Sequence, residues 1–451
     1  MNQEIDLQVL HMQHVQVCQQ RAEHALGRSG HDAMLIASGV EKFAFLDDRP
    51  YLFQTNPHFK AWLPLIQLPN SWLLVRPGRK PVLVYYQPDD YWHVPPAAPS
   101  GFWVDQVELR VIHQAEEAEQ VLRPLLGADL ARVAIIGESD AALGTLQPNN
   151  PTALLNSLHF ARARKTPYEL HCMREASRVA AKAHLAARDV FMSGGSEAQI
   201  HRAYLVASGH TDRDLPYSNI VALNEHCAVL HYQYQDVSAP AQSRSFLIDA
   251  GAQVQGYASD VTRTWSRGGD AGSAAFEALL AGMEAAQLRL VDQVRAGADY
   301  RQIHLNTHAE VAGVLRANGV VNMSEEAMQA TGVTSVFFPH GIGHLLGLQV
   351  HDVGGFMADE TGTLSPKPEG HPYLRLTRTL GPGMVVTIEP GLYFIPTLLN
   401  KLKVGPYAGA VDWSLVGELS RFGGIRIEDD VCCQENGAPE NLTRDAFAQA
   451  Q

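Results

Sequence analysis

Apolar positions along the first third of the chain fall into one helical stretch and several short runs. Residues 5–27 carry apolar and polar side chains at helical spacing and stop at Gly27-Arg28-Ser29-Gly30, which predicts an amphipathic helix. Short apolar runs follow at Met34–Ala37, Trp72–Val75, Val82–Tyr86 and Val133–Ile136. Each is bounded by Gly, Pro or charged residues, as strands are. Helical pattern returns near residues 114–125. These elements predict an amino-terminal α/β domain over residues 1–160. It has no cluster of metal-ligating side chains of its own, and Phe45-Leu46-Asp47-Asp48-Arg49-Pro50-Tyr51 reads as a polar loop.

The basic segment Ala161-Arg162-Ala163-Arg164-Lys165 marks the boundary, so residues 161–451 form a second domain. Thr166, Pro167 and Glu169 suit the N-cap, first turn and capping-box positions of a helix that runs to Gly194-Gly195. Another starts at Ser196, with Gln199 at the box position, and ends near Gly209. Two more span about 273–296 and 299–318. Strands are predicted near 217–222, 228–232, 244–249, 257–265, 384–389 and 424–431. The fold class is therefore α/β (α+β), with mostly antiparallel hairpins in the second domain. No tandem repeat of 20–50 residues is visible.

Composition narrows the function. The chain has 451 residues, 46% of them hydrophobic, and a net charge of −13. That length calls for more than one core, and that charge argues against nucleic acid or an anionic membrane as partner. The amino terminus lacks the basic start and apolar centre of a signal peptide. No apolar run reaches the length of a membrane span. The five cysteines form no C-x-x-C pair, which points to a reducing, cytoplasmic compartment.

The chemistry concentrates in strand-borne acids. In Phe246–Trp265, a turn centred near Val254-Gln255 would set Asp249 opposite Asp260 on an antiparallel pair. Opposed residues have Cβ atoms about 4.5–5.5 Å apart, and two carboxylates that close repel unless a proton or cation lies between them. A later pair, Glu389 and Glu428, ends two β-branched runs where apolar side chains are expected. Between the pairs, His340, His344 and His351 fall within one short glycine-rich stretch. The i, i+4 spacing of His340 and His344 matches a zinc-protease helix, but the interleaved glycines and the lack of a glutamate after the first histidine oppose that reading. Four carboxylates with imidazole make an oxygen-rich, hard site. It suits two divalent ions, Mn²⁺ before Co²⁺ or Fe²⁺, and metal-assisted hydrolysis. No G-x-S-x-G elbow or cysteine-nucleophile motif is present.

The segments IDAG…YASDVTRTW, HGIGHLLGLQVHDVGGF, TIEPGLYFI and GGIRIEDD resemble the prolidase branch of the pita-bread metallopeptidases. PYSNIVALNEHCAVLHY, YLRLTR and, in the first domain, FLDDRPY, NPHFKAWLP and PDDYWHVP extend the likeness over nearly the whole chain. It is strongest to bacterial Xaa-Pro dipeptidases and to organophosphorus acid anhydrolases. The resemblance implies a creatinase/prolidase-like amino-terminal domain before a pita-bread catalytic domain with pseudo-twofold hairpins. It implies the metal ligands Asp249, Asp260, His344, Glu389 and Glu428, with Asp260 and Glu428 shared by both ions and Glu389 also assisting proton transfer. It places His351 and His231 at the substrate and a buried Arg375 at its carboxylate. Arg426 orients ligands, and Tyr217, His340 and Asp48 edge the pocket, Asp48 from the partner of a homodimer. The implied reaction is hydrolysis of dipeptides ending in proline by water activated between the ions. Alternatives are P–F or P–O bond cleavage, an aminopeptidase P activity, a metal-free creatinase-like hydrolase and a non-catalytic binding module.

Overall fold

The first helix forms where the sequence offers caps at both ends. Asp6 accepts hydrogen bonds from the backbone N–H groups of Gln8 and Val9, and Gly30 (φ 73°) closes α1 (Leu7–Ser29) in the left-handed conformation. The computed structural model describes residues 6–269 and 271–450, so the first residue of the predicted helix lies outside the described residues. The chain divides into two compact units. One extends to His171 and includes Asp359–Thr363; the other holds Cys172–Ala358 and Leu364 onward.

In the first unit, β1 (Ala33–Ala37), β2 (Trp72–Val75), β3 (Val82–Tyr86), β4 (Glu108–Ile112) and β5 (Val133–Ile136) make one mixed sheet, ordered β4-β3-β2-β1-β5. Strand alternation sorts its side chains. Met34, Ile36 and Leu73 face a cluster holding Leu26 and Leu154, from α1 and α3 (Thr152–Arg162). Leu35, Leu74 and Val84 face another holding Leu122, from α2 (Glu117–Leu126). A sheet covered on both faces reads as continuous apolar runs. Strand β4 is the exception. Leu109 is half-buried and Arg110 and Val111 are exposed, so its sequence carried no such run.

Helix α4 (Pro167–Met192) starts before the end of the first unit and carries the chain into the second, and it begins with a capping box. Thr166 N–H donates to Glu169 Oε2 (2.8 Å), and Glu169 N–H donates to Thr166 Oγ1 (3.4 Å). The same device opens α5 (Glu197–Ser208) at Ser196 and Gln199. Strands β6 (Ile220–Leu223), β7 (Ser245–Asp249) and β10 (Thr262–Ser266) form an antiparallel sheet in the order β10-β7-β6. The short pair β8 (Gln253–Val254) and β9 (Tyr257–Ala258) caps its hairpin. Helices α6 (Ser273–Val291) and α7 (Tyr300–Ala317) follow. Strands β11 (Val385–Ile388), β12 (Gly391–Tyr393), β13 (Gly424–Arg426), β14 (Asp429–Cys432) and β15 (Glu440–Asn441) pair as β11-β14-β15 and β12-β13 before α8 (Leu442–Ala450). No helix among the described residues is long and apolar enough to cross a membrane.

Three expectations are corrected. The hairpin turns at Gln255 (φ 53°) and Gly256 (φ 86°), two positive-φ residues of the kind that fit strand twist. Asp249 therefore pairs with Thr262, not Asp260, and Asp260 lies in the gap between β9 and β10. Residues 228–232 form no strand, because the chain coils into a 3₁₀ turn over Asn224–Ala228. Its Asn224 (φ 55°) accepts at Oδ1 from Arg244 N–H (2.7 Å). The predicted strands 257–265 and 424–431 are each broken. At the second break the chain changes partner: Ile427 N–H donates to Pro390 and Glu428 N–H to the carbonyl of Thr262 (3.0 Å).

Asp429 ties the second unit together. It is fully buried and accepts from Arg263 Nη2 (2.7 Å), Arg444 Nε (2.7 Å), Gln287 Nε2 (2.8 Å) and Asn441 Nδ2 (2.8 Å). These donors come from β10, α6, β15 and α8. Burial opposes its charge, but the two arginines outweigh that and hold its pKa at about 2. Removing one member of such a network strands the others, at about 3–5 kcal/mol. Asp429→Ala is expected to lower unfolding free energy by about 3 kcal/mol in a urea titration at pH 7. A folded-state pKa below the ordinary 3.8 gives stability that is complete above about pH 4 and lost as pH falls toward 2. The variant should therefore show a shallower loss over that window.

Candidate metal centre

Three chain segments bring acids to one place. Asp249 ends β7, Asp260 precedes β10 and Glu428 sits in the break between β13 and β14. Glu389 follows β11, whose Thr387 takes the backbone N–H of His344 on its Oγ1 (3.1 Å). His344 belongs to the glycine-rich stretch, and the glycines let it lie against β11. A Cβ on Gly343 (φ 153°) would come within 2.3 Å of the Thr387 carbonyl and 2.4 Å of the Tyr300 hydroxyl. On Gly341 it would meet the Tyr373 carbonyl at 2.9 Å.

Ligand atoms of Asp260, His344 and Glu428 lie within 4.8 Å of one another, all three residues buried. His344 Nε2 is 3.4 Å from Asp260 Oδ2 and 3.7 Å from Glu389 Oε1. Its other nitrogen, Nδ1, lies 3.0 Å from the carbonyl of Leu345, to which it must donate. The Nε2 lone pair of a neutral ring then faces two carboxylates, an arrangement that needs a proton or a cation between them. The electrostatics agree. Burial raises the pKa of Asp249 against the pull of Arg426, and burial with Asp260 and Glu389 raises Glu428 far above the carboxylate range. Burial pushes Glu389 up to about 7. Only Asp260 is held low: burial opposes it, but His344 and the Tyr217 hydroxyl outweigh that. Burial lowers His344, yet Asp260 and Glu389 bring it above its ordinary value. Asp249 Oδ1 is buried without a hydrogen-bond partner among the described residues. An orphaned carboxylate oxygen and crowded, charge-starved acids fit hard divalent cations.

The surrounding bonds fix these groups. Tyr217 Oη donates to Asp260 Oδ1 (2.6 Å). Thr262 Oγ1 donates to Glu428 Oε2 (2.6 Å) and accepts from Arg426 Nε (3.2 Å). Arg426 also donates to Asp249 Oδ2 (2.7 Å) and to Tyr393 Oη (3.0 Å). Tyr393 Oη lies 2.9 Å from His340 Nε2, whose Nδ1 is 2.8 Å from the carbonyl of Gly341. The carbonyl takes the Nδ1 proton, so the Tyr393 hydroxyl donates to Nε2. Burial and then Arg426 lower His340 to about 3, which keeps that ring neutral.

Asp249, Asp260, His344, Glu389, Glu428, Arg426, Tyr217 and His340 thus share one site. His351 packs edge-on against His344, ring centroids 4.4 Å apart, and burial followed by the His344 charge lowers it to about 4. His231 is exposed on a turn, close enough for its charge to lower both His340 and His351. Arg375 also acts on His351 but stands exposed, which corrects the expectation of a buried arginine. Asp48 lies on an exposed turn of the first unit, where its N–H donates to Asp47 Oδ1 (2.8 Å). The sequence reading missed Thr262, Tyr393 and Asp430. Asp430 accepts the Asp260 N–H at 3.1 Å, and Thr262 is two residues beyond Asp260. Period-2 alternation from Asp260 and Glu428 was the signal available for both.

Residues 9–160 match the family model described as the N-terminal domain of Xaa-Pro dipeptidase, and residues 171–435 match metallopeptidase family M24. The chain is 52% identical over 442 residues to a Xaa-Pro dipeptidase of Xanthomonas campestris pv. campestris (strain B100), with 98% of each chain covered. It is 50% identical over 441 residues to a Xaa-Pro dipeptidase of Stenotrophomonas maltophilia (strain K279a), again with 98% of each covered. Among solved structures, Pseudomonas aeruginosa aminopeptidase PepP shares the fold, with TM-score 0.71 and 24% identity over 96% of this chain and 97% of that one. Aminopeptidase P from E. coli with the inhibitor Pro-Leu gives TM-score 0.68 at 25% identity, covering 97% and 98%.

The seating of His344 against β11 is directly testable. Gly343→Ala would force Cβ into the Thr387 carbonyl. Overpacking of this kind costs about 1–3 kcal/mol. A drop in thermal unfolding midpoint is expected, whereas Gly27→Ala, inside α1 where an added Cβ meets nothing within 4 Å and φ is not positive, should show none.

Proposed function

The chain belongs to metallopeptidase family M24, in its Xaa-Pro dipeptidase branch, and from that premise we propose that it hydrolyses dipeptides whose second residue is proline. The observation that carries the proposal is the gathering of Asp260, Glu389 and Glu428 around His344, with the orphaned oxygen of Asp249 held beside them through Arg426. We assign these five as ligands of two divalent ions, with Mn²⁺ preferred for its taste for oxygen. Asp260 and Glu428, whose ligand atoms lie within 4.8 Å of that of His344, would hold the ions together with Asp249, His344 and Glu389. Bound there, the pair would lower the pKa of a water and polarise the scissile carbonyl.

The chain's own residues then position and balance. Arg426 and Thr262 fix the free rotations of Asp249 and Glu428, and Tyr217 fixes Asp260, so the acids are held before substrate arrives. Glu389, beside His340 at 3.8 Å, is the group to pass a proton toward the leaving proline nitrogen. His351 and His231 flank the scissile bond, and His340, kept neutral, borders the proline ring. A bond to proline is a tertiary amide with no N–H. Recognition must therefore come from the ring, the free amine and the terminal carboxylate. Arg375 takes the carboxylate as a charge-assisted pair. Its exposure means that the pair strengthens only as substrate covers it.

The first unit completes the proposal. Phe45 (90% exposed), Leu46 (89%), Tyr91 (88%), Trp92 (78%) and Val94 (96%) are large apolar side chains left in solvent. A second copy of this chain is the partner proposed for them, with Asp48 offered to the partner's substrate amine. The five cysteines are buried and none forms a disulfide, which suits a cytoplasmic setting.

Ala-Pro hydrolysis by EDTA-stripped protein, before and after addition of Mn²⁺, tests the proposal. Activity should be lost and then restored. With Mn²⁺ present, Ala-Pro should be cleaved at least about tenfold better than Ala-Pro-amide, a difference of about 1.4 kcal/mol. Full activity in EDTA would remove the metal assignment, and equal rates on the two substrates would remove the carboxylate role of Arg375.

A further inference from the structure

Three histidines that this chemistry does not use meet elsewhere in the second unit. His304 and His308 stand i, i+4 on α7, so both rings leave the same face of the helix. His371 arrives from a turn in which its N–H donates to the Pro368 carbonyl (3.2 Å). His304 Nε2 and His371 Nδ1 are 2.9 Å apart. Ring centroids are separated by 5.0 Å for His304 and His308, and by 4.7 Å for His371 with either. One nitrogen from each ring falls within 4.8 Å of the other two. His308 is oriented from behind, its Nδ1 lying 2.9 Å from Thr334 Oγ1. His308 Nε2 and His304 Nδ1 are buried with no hydrogen-bond partner among the described residues.

We propose that His304, His308 and His371 form a second metal site, separate from the carboxylate cluster, that takes Zn²⁺ or a similar imidazole-seeking ion in preference to Mn²⁺. Zinc–nitrogen bonds of 2.0–2.1 Å in tetrahedral geometry set ligand nitrogens about 3.3–3.4 Å apart. The His304 Nε2–His371 Nδ1 separation of 2.9 Å is slightly shorter than that, and the ligand nitrogen of His308 lies within 4.8 Å of both. A small rotation of His371, which is only half-buried, would equalise them. Three neutral nitrogens and no carboxylate disfavour Mn²⁺ and favour Zn²⁺, Co²⁺, Ni²⁺ or Cu²⁺. Burial lowers all three rings, His304 to about 2 and His308 to about 4, so all three are neutral at neutral pH; the proton shared between His304 Nε2 and His371 Nδ1 needs only to move to the other nitrogen of its own ring to leave both lone pairs facing an ion. As the cluster stands the buried Nε2 of His308 has no partner among the described residues, and an ion held with His304 Nε2 and His371 Nδ1 would give it one. Phe338 stands between the two sites, its ring centroid 6.0 Å from that of His304 and 4.7 Å from that of His340.

The test is a metal count. The full-length protein and His371→Phe are equilibrated with excess Zn²⁺, desalted and measured by elemental analysis. The unmutated chain should hold one more Zn²⁺ per chain than the variant, and that difference does not depend on how many ions the carboxylate cluster takes. His371→Gln guards against a folding artefact of the bulkier ring and should lose the same equivalent, with circular dichroism unchanged. In a parallel loading with Mn²⁺ alone, the unmutated chain and the variants should hold equal amounts. Equal Zn²⁺ in the unmutated chain and both variants, or a Mn²⁺ difference as large as the Zn²⁺ difference, would overturn the site.

Discussion

Everything around the catalytic face answers one constraint: Asp249, Asp260, Glu389 and Glu428 are crowded together away from water, with His344 against Asp260 and Glu389. Burying one unpaired carboxylate is costly, and burying several together is worse, because each raises its neighbours. Burial and neighbouring charge raise Asp249, Glu389 and Glu428 above their ordinary values. Arg426 answers part of the charge through Asp249. The remainder calls for divalent cations, which is the physical content of membership in a metallopeptidase family.

The strands meet that constraint by alternation. From Glu428 the chain sends one carboxylate toward His344's cluster, the next, Asp429, into a four-donor network, and the third, Asp430, back toward the Asp260 N–H. Three consecutive acids thus hold three distinct stations. The break between β13 and β14 makes this possible. Glu428 lends its N–H to the Thr262 carbonyl and accepts the Thr262 hydroxyl, so the two strand sets are joined at the acids themselves. The glycine-rich stretch contributes closeness, bringing His344 to β11 where any Cβ on Gly343 would collide.

Much of this was legible in the residues. Helix starts at Ser196 and Thr166 followed from cap chemistry, and β2, β3 and β5 from apolar runs covered on both faces. The hairpin register was not legible, because it rests on Gln255 adopting φ 53°, a conformation its residue type does not announce. Strand β4 was missed because its middle faces solvent. The gathering of Asp249, Asp260, His344, Glu389 and Glu428 was suggested by acids at strand ends, but the order in which Thr262, Tyr393 and Arg426 bind them is a tertiary fact. The same holds for His371, which meets the helical pair His304 and His308 from 63 residues beyond the nearer of them in sequence, with no local pattern to signal it.

The crowded acids are placed to hold a pair of metal ions. Anomalous diffraction at the manganese edge, on crystals grown with Mn²⁺, tests it most directly. Two peaks should appear, both among the carboxylates of Asp249, Asp260, Glu389 and Glu428 and the Nε2 of His344. A single peak, or manganese found only away from these five residues, would contradict the account.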